Sequence, residues 1–162
     1  MRLWPCFVLL SLATMWSVAC QAQTGAAPPD LMPIEQYTQA NLIKGPRSAE
    51  NDAKNTETAR YGFMRCAALF SVVSQIFSNA PDPALKEKMV SENTQLGASM
   101  IGAARSLKPN PPDNWLIEHI KPMREAYVKR LVSAGPEGFF KTDQVVIADV
   151  RFCKTIVAKK PG

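Results

Sequence analysis

The stretch SAENDAKNTETARYGFMRCAALFSVVSQIF, Ser48 to Phe77, decides the fold. Within it Ala59, Phe63, Cys66, Phe70, Val73 and Phe77 recur at intervals of three and four, so an α-helix would carry them as one apolar stripe. Asn79-Ala80-Pro81 ends that pattern, since proline has no N–H to continue the helix. Asp82-Pro83 then supplies an N-cap and a proline at the first helical position. Beyond it Leu85, Met89, Leu96, Met100, Ala103 and Leu107 form a second stripe.

The segment Lys108-Pro109-Asn110-Pro111-Pro112 cannot continue the second helix. Asp113 is placed to cap a third, which shows Trp115, Leu116, Ile120, Met123, Tyr127 and Leu131 on one face. Pro122 predicts a kink or break in it, and Gly135-Pro136 its end. Gly138-Phe139-Phe140 reads as a turn, after which Thr142 or Asp143 opens a fourth helix bearing Val146, Val150, Cys153 and Val157. Lys159-Lys160-Pro161 closes it, with cations where the helix dipole favours them. Four amphipathic helices with short connections predict an all-α fold, a small antiparallel bundle of about four helices over residues 48–160.

Upstream, residues 23–47 are rich in Gln, Ala, Thr, Pro and Gly, with one helix-compatible piece around Ile34 to Ile43; they read as a flexible spacer. Residues 1–22 have the three parts of a cleavable signal peptide: Arg2 near the start, an apolar run from Cys6 to Val18, and small residues at Ala19 to Ala22. The apolar run is shorter than the roughly 20 residues a spanning helix needs. Export to a periplasm or beyond is the expectation. Ser17-Val18-Ala19-Cys20 also resembles, imperfectly, a lipoprotein cleavage signal, which would make Cys20 the lipid-carrying first residue. The rival is cleavage after Ala22, and either route removes Cys20 as a free thiol.

The chain of 162 residues holds 19 basic and 14 acidic side chains; losing Arg2 leaves 18 against 14, a net charge of +4. The basic residues are spread among the acidic ones, which predicts a solvated surface and no nucleic-acid partner. A membrane would be met only through a lipid anchor. The mature part has no Asn-x-Ser/Thr glycan acceptor, in keeping with a bacterial periplasm.

Cys66 and Cys153 fall on the inward stripes of the first and last long helices, and in an exported protein that predicts a disulfide. No Cys-x-x-Cys redox pair is present. His119 is the single histidine, which removes most hydrolase and zinc schemes, and neither Glu-x-x-His nor a calcium loop occurs. No catalytic residue, cofactor or metal ligand is assigned, and an enzyme is disfavoured. Ala98, Gly102 and Ser106, four apart, predict a side-chain-poor ridge on the second helix, fit for tight internal packing, self-association or a ligand groove. Phe139 and Phe140 cannot both turn readily into a core, so one could anchor a partner. These five residues form the candidate interaction surface.

Two functions remain. The first is a non-enzymatic cell-envelope protein that binds another exported or envelope protein through a helical surface, as an inhibitor, immunity factor, adaptor or assembly aid does. The second is a carrier of an apolar small molecule or lipid, using the small-residue ridge and a bundle interior lined by methionines such as Met64, Met89, Met100 and Met123.

Overall fold

The computed structural model describes residues 31–108, 112 and 114–158. The expected signal peptide, Cys20, Asp113 as a cap and the Lys159-Lys160-Pro161 end lie outside the described residues. Among the described residues the fold is all-helical and has no strand. It comprises α1 (Ile34–Asn41), α2 (Ala49–Phe77), α3 (Pro83–Ser106), α4 (Trp115–Lys141) and α5 (Gln144–Ala158).

Each long helix starts where side-chain chemistry lets it, or ends where backbone chemistry stops it. Ser48 Oγ accepts the Asn51 N–H to open α2. Asp82 Oδ1 accepts from Ala84 and Leu85, with Pro83 already in helical register. Asp143 Oδ1 does the same for Val145 and Val146 at the start of α5. Such caps are worth about 1 kcal/mol each.

α2 is the axle of the molecule: α1, α3, α4 and α5 all pack on it. This is why burial on α2 exceeds one stripe. Gly62, Arg65, Leu69 and Val72 are buried together with Cys66, Phe70 and Val73. Cys66 and Cys153 are bonded, as their inward positions predicted, and so fasten α2 to α5.

The structure departs from the sequence reading in three places. Among the described residues there are five helices, because the piece inside the expected spacer is α1, docked with Leu31 and Ile34 in the core. Pro122 does not break α4: it lies on the exposed face, where the carbonyl of Glu118 that loses its partner stays open to water. The helical path is interrupted at Gly135, where the sequence placed the helix end, with a φ of 70° in the left-handed region that glycine tolerates. Pro136 then begins a further helical piece, so Gly138-Phe139-Phe140 is helix rather than turn, and Phe139 is fully buried.

Candidate functional site

α3 and α5 both lie antiparallel to α2, on either side of one of its faces, and make little contact with each other. A furrow is left between them, floored by α2. It holds two hollows in line. The first, about 540 Å³, lies among Phe63 of α2, Leu96, Met100 and Gly102 of α3, and Ile156 and Val157 of α5. The second, about 260 Å³, lies among Phe70 and Phe77 of α2, Met89 and Asn93 of α3, Phe140 of α4 and Val150 of α5. Both are open to solvent along one side.

The packing of small residues explains the shape. At Gly97 the α2 and α3 backbones come close: a Cβ there would sit 3.8 Å from the Ala67 carbonyl oxygen and from Phe70 Cβ. Five residues on, Gly102 faces nothing within 4 Å. The first hollow exists because Gly102, Ala103 and Ser106 carry too little side chain to fill it. Ser106 Oγ is turned inward on its own helix, donating to the Ala103 carbonyl at 2.8 Å. Of the sequence-predicted surface, Gly102 and Ser106 line the first hollow and Phe140 the second. Ala98 is exposed but borders neither, and Phe139 is a core residue, unavailable to a partner.

Lys154 borders the second hollow, and Arg151 is exposed one turn before it on α5. Neither has an ion-pair partner among the described residues. Sequence reasoning missed these two cations, since charges at three-residue spacing on a helix look like any solvated face.

Behind the furrow lies a buried polar cluster that sequence reasoning also missed. Arg65 Nη2 donates to Asp149 Oδ2 at 2.6 Å, and both side chains are wholly inaccessible. The Tyr127 hydroxyl donates to the same oxygen and accepts from Arg65 Nε at 3.1 Å, while the Ile34 N–H donates to Asp149 Oδ1 at 2.7 Å. Burial pushes the Asp149 carboxyl above its ordinary value, against the pull of Arg65, Tyr127 and Ile34. Burial likewise raises the Tyr127 phenol well above 10.0, and the facing Asp149 charge adds to it. With every member bonded and no access to solvent, the cluster holds α1, α2, α4 and α5 in register and has no room for a substrate.

Elsewhere the chemistry is sparse. His119 is exposed, with Nδ1 on the Trp115 carbonyl at 2.8 Å, and Glu118 is held by Asn114. Trp115 is buried beside Arg60 and Lys108, whose cations lie 5.4 and 5.3 Å from its ring. Among the described residues no cluster of His, Cys, Asp and Glu could hold a metal ion. No described helix is long and apolar enough to cross a membrane.

No family model, curated protein or solved structure matches this chain. Its function must therefore be argued from the furrow and the frame that supports it.

Proposed function

We propose that this chain is an exported, non-enzymatic module of the cell envelope that binds another envelope or exported protein through the furrow between α3 and α5. The observation that carries the reading is the apolar, solvent-open furrow, set on a helix that four others and a disulfide hold rigid. Exposed apolar surface of this kind costs free energy unless a partner covers it, and a stiff frame reduces the ordering cost of binding. The signal-like residues 1–22 support export, with or without a lipid on Cys20.

The apolar lining also suits a carrier of a small hydrophobic molecule, but small-molecule sites bury about 70–90% of their ligand. A furrow open along its side leaves more of such a ligand wet, which puts the carrier second.

The test is to express the chain with its own N-terminus, confirm by intact mass that the product begins at Gln23 or at an acylated Cys20, and use it to capture envelope proteins. Gly102→Trp projects a ring into the first hollow from a Cβ position that has no neighbour within 4 Å. One protein retained by the natural chain and lost by the Gly102→Trp variant is the expected result. Equal retention by both removes the furrow as the binding surface, and a co-purifying small hydrophobic molecule moves the carrier ahead.

A further inference from the structure

The walls of the furrow repeat. Phe63 of α2 borders the first hollow and Phe70 the second; on α3 the matching pair is Leu96 and Met89; on α5 it is Val157 and Val150. Each pair is seven residues apart, two helical turns, or about 10.5 Å along the axis. A third helix laid in the furrow presents its own side chains with that same period, because residues i and i+7 share a face. From Phe63 to Phe77 the floor runs about 21 Å, the length of roughly four turns of helix.

Charge fixes the remaining chemistry. Lys154 stands at the second hollow with Arg151 beside it, and neither is neutralised within the described fold. A partner carrying acidic residues along the edge that meets α5 gains steering and orientation from them, whereas a basic edge is repelled.

We infer that the occupant of the furrow is an amphipathic helix of about four turns on a partner protein, with large apolar anchors at i and i+7 in the two hollows and acidic residues on the edge facing Lys154 and Arg151. The inference rests on the protein-binding reading above and names the partner's local chemistry.

The probes are stapled helical peptides of about four turns. One carries Leu at i and i+7 and a Glu edge, a second has the anchors at i and i+5, and a third has a Lys edge. Each is titrated by fluorescence anisotropy against the purified, oxidised mature chain, and the site is mapped from amide shifts. The first peptide should bind best and shift Gly102, Val150 and Lys154. Gly102→Trp and Lys154→Glu should each weaken it by about tenfold or more with the circular dichroism unchanged and the unfolding midpoint no lower, and Lys154→Glu should favour the Lys-edged peptide.

Equal binding of all three peptides, or of none, overturns the assignment. So does preferential perturbation of the same amides by phosphatidylglycerol vesicles, or by raising the concentration of the chain itself, which would name a lipid or a second copy as the occupant. If Gly102→Trp abolishes capture of an envelope protein while no peptide discriminates, the binding module stands and the helical partner falls. If capture ignores Gly102→Trp, the furrow reading itself falls.

Discussion

The backbone N–H of Ile34 donates to Asp149 Oδ1 across 115 residues of chain, inside the core. A main-chain donor is thereby spent on a buried carboxylate, and α1 is fixed to α5 by a contact that no side chain of α1 supplies. The other oxygen of Asp149 serves Arg65 and Tyr127. The carboxylate thus joins four helices behind the furrow, and the position of α5 as a furrow wall depends on it.

Removing one partner of a buried pair leaves the other charged and unpaired, which costs about 3–5 kcal/mol. Asp149→Ala should lose that much in urea unfolding, strand Arg65, and free the Ile34 amide. The double replacement Arg65→Met with Asp149→Leu should recover most of the loss, since a packed apolar pair of similar volume avoids the desolvation cost. A loss under about 1 kcal/mol for Asp149→Ala would mean that water reaches the cluster.

Tyr127 makes the fold sensitive to alkali. Its folded pKa is raised well above the ordinary 10.0, so the fold holds the phenol protonated after an unfolded chain has released the proton. The stability this confers is complete below pH 10, and is lost as pH rises from there towards the folded pKa, at up to about 1.4 kcal/mol per pH unit. Tyr127→Phe should be less stable at neutral pH, yet decline less steeply above pH 10 than the natural chain. Parallel declines in the two proteins would show that the phenol is not shielded in the fold.

What could be read in the sequence follows from which signals are periodic. Cys66 and Cys153 sit on apolar stripes, so their pairing was legible. Ala98, Gly102 and Ser106 form a row at four-residue spacing, but such a row drifts by about 40° at each step. By Ala98 it has turned away from α5, so only the other two border the first hollow. Phe139 and Phe140, about 100° apart on one helix, divide between core and furrow. Asp149 lies three residues after Val146 and four before Cys153, on the inward face, and that position was the one clue to the buried cluster. α1 was legible as a helix-compatible piece around Ile34 to Ile43, but its docking was not, because its polar sequence IEQYTQAN packs through Ile34, Leu31 just before it, and a backbone amide, which leaves no pattern.

The disulfide should hold α5 against α2 mainly by restricting the unfolded chain. Closing a loop of 87 residues is worth about 4–5 kcal/mol in the chain-entropy model. Reduction, or Cys66→Ala with Cys153→Ala, should lower the urea midpoint accordingly and leave the helical circular dichroism largely intact below it. If α5 swings away on reduction, peptide binding in the furrow should fall further than the stability does, because Val150, Lys154 and Val157 move together.

Two glycines should respond in opposite ways to one added methyl group. Gly102 is helical, exposed and open, with nothing within 4 Å of a Cβ, so Gly102→Ala should gain helix propensity of about 1 kcal/mol and meet no obstacle. Gly135 is equally open, but its φ of 70° with ψ of 167° is a conformation nearly confined to glycine, so Gly135→Ala should lose about 1–3 kcal/mol through the backbone alone. Space is the same in both cases, and only φ differs. Thermal unfolding of the two variants therefore separates backbone strain from steric fit. A gain at Gly102 carries a further meaning: the residue would have been kept at the expense of stability, as expected where a hollow is needed for a partner's side chain. A loss at Gly102 would instead show that α3 moves closer to α5 in solution and closes the furrow.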